Sequence, residues 1–232
     1  MQSPDRLFDL LASYEEVDEP LSRFFAVWSE GRAVKEVARI LGFDPEAGEP
    51  GQFSDLETGP YEDGVRTVLI GQAGDWTLAV GDQDATGADA LAALSRDGGR
   101  ALSLDWVPLD DDPKLRYAIE GELVTCLNLI DPDDRSGADP TALDHHLTGL
   151  RIGIEISGGA EPNEIFTSGL VAIGRVTGQE IDANWLDAEH LLYSIVPDEE
   201  ERAHHAEHRL KGVAEIREWA GQVGSAAIVL MP

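Results

Sequence analysis

Between Val65 and Leu129, short apolar runs alternate with turn residues at hairpin spacing, and this constrains the fold more than any other feature. Val65–Ile70 and Trp76–Val80 flank Gly71-Gln72-Ala73-Gly74, while Leu115–Ile119 and Leu123–Leu129 flank Glu120-Gly121-Glu122. Runs of this length closed by glycine-containing connections read as β-hairpins. Ala101–Val107 reads as a further strand between the two pairs. Chains of hairpins pair antiparallel, so this block predicts one mostly antiparallel sheet of about five strands.

Helical signals surround the block. Leu7, Leu10, Leu11 and Tyr14 share one face of a helix over Asp5–Tyr14. After an apolar strand at Phe24–Trp28, a second helix carries Val34, Val37, Ala38 and Leu41, with Gly42 at its C-terminus. Its opposite face holds Arg32, Lys35 and Arg39, the densest basic stripe in the chain. Further helices are expected near Asp89–Leu94, from Asp139-Pro140 toward Leu147, and over Glu164–Val176, with strands at Leu150–Ser157 and Leu191–Val196. Past Pro197 a long charged helix runs to about Gln222 and Ala226–Leu230 adds an edge strand. The expected fold class is α+β: a central antiparallel sheet, helices packed on one face, and a long C-terminal helix. Residues 1–196 form the domain, and 197–232 pack on it.

Composition then limits function. Of 232 residues, 45 are Asp or Glu and 17 are Lys or Arg, a formal charge of −28. Such a body repels phosphate backbones and anionic membranes and steers in basic partners. No direct nucleic-acid or membrane partner is therefore expected. The alternative is that the charge only keeps the surface hydrated, as in salt-adapted proteins. The hydrophobic fraction of 42% is ordinary for a folded domain. The N-terminus shows no signal peptide and no apolar stretch reaches the length of a membrane helix, so the expected location is cytoplasmic. The single cysteine, Cys126, excludes an intramolecular disulfide and reads as a core thiol.

Several clusters could carry chemistry. Glu200, His204 and His208 fall at successive steps of four on the C-terminal helix, a spacing that lets a carboxylate and two imidazoles share a divalent metal. The H-E-x-x-H order is absent, and a solvated charged helix explains the same pattern. Asp82-Gln83-Asp84-Ala85-Thr86-Gly87 imitates half of a calcium loop but places Ala93 where the bidentate carboxylate belongs; helix capping by Thr86 or Asp84 is the simpler reading. His145 and His146 follow Asp144 with no nucleophile nearby. No G-x-S-x-G and no phosphate-cradling glycine pattern occurs, so no catalytic residue is assigned. Trp28, Trp76 and Trp106 read as core residues of strands.

The block Gly74-Asp75-Trp76-Thr77-Leu78-Ala79-Val80, the hairpin Tyr117–Leu129 and the run Arg135-Ser136-Gly137-Ala138-Asp139-Pro140 carry a family likeness. Over roughly residues 20 to 196 the chain resembles an uncharacterised domain-of-unknown-function family common in Streptomyces and related actinobacteria, with its G-x-W-T-L strand and R-x-G-x-x-P loop. The resemblance implies an α+β fold and an actinobacterial cytoplasmic setting, and it carries over no catalytic residue.

The function expected is that of a non-catalytic acidic protein recognising a basic protein partner, as immunity, antitoxin-like or inhibitor proteins do. Segment 44–63 holds seven acids and no base, and segment 178–201 holds eight acids and no Lys or Arg. The expected contact residues are Glu46, Glu49, Asp55, Glu57, Glu62, Asp63, Asp187, Glu189, Glu199, Glu200 and Glu201. No cofactor is expected on this reading. The alternatives are a metal-dependent enzyme using Glu200, His204 and His208, and a structural subunit of a larger assembly.

Overall fold

Phe24–Ser29 is buried along its whole length, which a strand achieves only when both faces of its sheet are covered. The computed structural model describes residues 5–14, 23–56, 65–81, 83–107, 113–153 and 160–196. The elements in chain order are α1 (Arg6–Ala12), β1 (Phe24–Glu30), α2 (Val34–Ile40), β2 (Glu49–Gly51), β3 (Arg66–Ala73), β4 (Trp76–Val80) and α3 (Ala88–Leu94). They continue with β5 (Arg100–Trp106), β6 (Lys114–Ile119), β7 (Glu122–Asn128), β8 (Arg135–Ser136), α4 (Asp144–Leu147), α5 (Pro162–Thr177), α6 (Ala183–Asp187) and β9 (His190–Ile195). Short 3-10 turns lie at Phe53–Asp55 and Gln83–Thr86.

The chain divides into two units: Met1–Thr58 with Thr67–Ser194, and Gly59–Arg66 with Ile195–Pro232. Nearly all of the described residues belong to the first. The long C-terminal helix expected past Pro197 lies outside the described residues.

The described strands form one sheet in the order β2-β9-β3-β4-β1-β5-β6-β7-β8. Registered pairs such as β1 with β4 and β5, and β6 with β5 and β7, are all antiparallel. The sheet is therefore larger than five strands. Two of the additions, β1 and β9, fall on segments read as strands from the sequence; the other two, β2 and β8, have three and two residues and are too short to show a period-two pattern. The hairpin turns are also tighter than expected. β3 runs on through Gly71-Gln72-Ala73, leaving a two-residue turn at Gly74-Asp75. The β6–β7 turn is Glu120-Gly121 alone, with φ of 53° and 85°. Positive φ at both centre positions matches the twist of a two-residue hairpin.

Helices cover both faces, a correction to the one-faced packing expected. On one face Ala26 opposes Val80 and Leu104, Trp28 opposes Leu78 and Leu102, and Leu115 opposes Leu104 and Leu127. This row packs with Leu7 and Leu11 of α1 and Ile165, Phe166, Leu170 and Ile173 of α5 in the main core. On the other face the Ser29 hydroxyl donates to Leu94 O of α3 (3.3 Å), and the Ser103 hydroxyl donates to Thr86 O (2.9 Å). The apolar run at β1 is what two covered faces demand; an alternating pattern would leave one face wet. Trp28, Trp76 and Trp106 are all buried in strands.

Local chemistry sets the limits of α5. Pro162 occupies its first turn, the side chains of Glu161 and Glu164 cap each other's backbone, and Gly178 closes it at φ 72°. The capping expected of Thr86 or Asp84 for α3 does not occur. Gly87 is the N-cap, and the Thr86 hydroxyl donates instead to Gln83 O (2.8 Å). Leu150–Gly153 forms no strand, and the rest of that expected strand lies outside the described residues. Cys126 is half-buried, opposite Arg116 and Ser136 in the sheet.

One close approach supplies a first prediction. A Cβ on Gly71 would fall 2.0 Å from His190 Nδ1. That imidazole cannot swing aside cheaply, because it stacks on Trp185 (centroids 4.3 Å apart) and its Nε2 lies 2.7 Å from Trp185 O. Gly71→Ala should cost about 1–3 kcal/mol in urea unfolding, the usual penalty of overpacking. Adding His190→Ala should recover part of that loss in a double-mutant cycle. Strictly additive losses would show that the ring is not what excludes the methyl.

Candidate functional site

The segments 44–63 and 178–201 are more than a hundred residues apart in the chain, and the fold joins them. β2 pairs antiparallel with β9, with Glu49 opposite Leu192 and Gly51 opposite His190. The Gln52 side-chain amide donates to Asp187 O (3.0 Å), and α6 packs on the 3-10 turn Phe53–Asp55. Tyr14 braces the junction: its hydroxyl donates to Asp187 Oδ1 (2.8 Å) and its ring meets the edge of Phe53 (5.9 Å). The result is an edge of the sheet bordered by acidic side chains.

Glu49, Asp55, Asp187 and Glu189 are all exposed along this edge. Asp55 Oδ2 accepts from Gln52 N (2.8 Å), which fixes its turn but leaves the carboxylate in solvent. Asp182, a residue outside the set expected from the sequence, caps α6 by accepting from Trp185 N (2.9 Å) and is exposed beside the others. Its capping role is legible in Asp182-Ala183-Asn184-Trp185, an Asp three residues before the amide it holds. The negative field is felt by Tyr14, whose phenol is raised above its ordinary value by the hydrogen bond to Asp187, then by burial and the charges of Asp187 and Asp182. Glu46 differs from its neighbours. It pairs with Lys35 Nζ (2.6 Å), and this pair in turn raises the lysine's affinity for its proton. Glu57, Glu62, Asp63, Glu199, Glu200, Glu201, His204 and His208 lie outside the described residues.

A second feature is an open polar cleft of about 360 Å³ lined by Glu30, Gly31, Arg32, Glu36, Arg96, Asp97, Gly98 and Gly99. Its charges are largely spent on each other. Arg32 donates to Leu94 O (2.8 Å), to Arg96 O (2.7 Å) and to Glu36, tying the start of α2 to the last residue of α3 and to the turn just beyond it. Behind it, Glu30 is held below the usual carboxylate range by its two-pronged pair with Arg100, whose guanidinium lies over Trp76 (5.1 Å). The chemistry is that of a clamp between elements. Among the described residues, no group of three or more His, Cys, Asp or Glu side chains is placed to hold a metal ion.

The model of a family of unknown function, DUF6461, matches residues 30–201, from the last residue of β1 to beyond β9. The chain belongs to this family. The matched span holds the acidic edge, the cleft and the eight strands from β2 to β9, while α1 and nearly all of β1 precede it. No curated protein and no solved structure matches the chain. Among the described residues no helix is long and apolar enough to cross a membrane.

Proposed function

We propose that the chain is a non-catalytic binding protein that recognises a basic protein partner through the acidic β2–β9 edge, in the manner of an immunity, antitoxin-like or inhibitor protein. The supporting observation is the convergence of two separate acid-rich segments, which presents Glu49, Asp55, Asp182, Asp187 and Glu189 to solvent together. Carboxylates gathered this way raise the local negative potential, which speeds encounter with a basic surface and selects against acidic ones. An actinobacterial source and a cytoplasmic location belong to the same proposal.

The test compares partner capture at about 50 mM and about 500 mM salt, where screening lengths differ severalfold. A basic protein held at low salt and released at high salt is expected. Glu49→Lys with Glu189→Lys, two exposed sites outside the core, should weaken the purified pair about tenfold or more at low salt. Binding that ignores both the salt and the charge reversal would sink the reading.

A further inference from the structure

On the four-residue helix α4, two adjacent imidazoles, His145 and His146, lie with ring centroids 3.7 Å apart. The helix is anchored by Leu143 and Leu147, both buried, and it packs on α5. Its last carbonyls are held from α5: one Nη of Arg175 donates to His146 O (2.7 Å) and to Thr148 O (3.0 Å). The carboxylate on this helix, Asp144, is paired with Arg135. The groups acting on His146 are therefore cations or prospective cations: His145 on its own helix, Arg175 from α5 and Arg100 from β5, the last joined to Glu30 of β1.

We propose that His146, packed against the His145 ring, is an acid-sensitive latch, which holds α4 on α5 while its imidazole is neutral and loosens it when that ring gains a proton. A proton on His146 is placed against the His145 ring, whose centroid is 3.7 Å away. A proton on His146 also faces the guanidinium bound to that residue's own carbonyl. Burial, then His145, Arg175 and Arg100, push the His146 imidazole below its ordinary value of 6.5. An unfolded chain lacks those neighbours and binds the proton first, so stability is complete above about pH 7 and declines as pH falls through the ordinary histidine range. This is independent of the acidic edge.

The experiment follows the histidine ring signals of the full chain by NMR from pH 8 to pH 5, together with amide exchange across residues 143–148. His146 should titrate below its ordinary midpoint, and protection of α4 should fall about tenfold for each unit that the midpoint is depressed. His146→Gln should flatten that fall, and His145→Gln, at the exposed ring, should do so in part if the first variant folds poorly. Arg175→Gln should move the His146 midpoint upward, a response that a merely structural arginine would not produce. A His146 midpoint at or above the ordinary value, or an unchanged loss of protection in His146→Gln, overturns the latch.

Discussion

Phe166→Ala should cost about 3–5 kcal/mol, the range measured when a large buried aromatic is removed and its cavity does not collapse. Phe166 is 0% exposed and is the point where three elements meet the N-terminal half of α5. Its ring takes edge-to-face contacts from Phe8 of α1 (6.0 Å), Phe24 of β1 (5.3 Å) and Trp106 of β5 (5.3 Å). Each such pair adds to the area term, and all three go together when the ring goes. Folded domains hold only about 5–15 kcal/mol in total, so the variant should be close to its stability limit at 37 °C. Urea unfolding followed by tryptophan emission reads the loss directly, since Trp106 sits against the missing ring. Phe166→Leu should recover part of the loss by refilling the volume without the aromatic edges. A loss under about 1 kcal/mol for the alanine variant would mean that α5 is not anchored through this ring.

Gly137→Ala should cost about 2–5 kcal/mol, combining overpacking with a left-handed backbone that alanine resists. Gly137 adopts φ 113°, and a Cβ there would lie 2.3 Å from Val124 O. That oxygen belongs to the backbone of β7, beside the register shift where Tyr117 faces Thr125 and Ala118 faces Leu123, so Val124 is the extra residue of a bulge. It also accepts from Asp139 N (2.9 Å), while Ala138 N donates to Leu123 O (3.1 Å) and the Thr125 hydroxyl to Asp139 O (2.7 Å). The loop is thus laced to the bulge at the point where the methyl would enter. Arg135, two residues earlier, donates to Pro132 O and to Asp144, so one short run ties β8, the turn before it and α4 together. Thermal unfolding checks the prediction, and a midpoint within a degree or two of the parent would refute it.

The acidic edge is half legible in the sequence. Both acid-rich segments stand out by composition, and the exposed Glu49, Asp55, Asp187 and Glu189 belong to them. Their meeting does not, because β2 has three residues, one of them Pro50, and too few to show a period. Composition also groups Glu46 with them, whereas the folded chain gives it Lys35 as a partner. Cys126 shows the same limit. Its apolar neighbours in the chain suggest a core thiol, but its depth depends on what covers β7 near the sheet margin.

What the sequence by itself determined is local: the hairpins at Gly74-Asp75 and Glu120-Gly121, the tryptophan-bearing strands of an antiparallel sheet, and the glycine-ended helix α5. Each follows from turn chemistry or side-chain period within a few residues. Tertiary structure alone decided that helices cover both faces, that β9 crosses back to lie between β2 and β3, and that acids from the two segments share one edge. Those outcomes depend on burying apolar area between segments far apart in the chain. That energy belongs to the pair of surfaces and is written in neither segment alone.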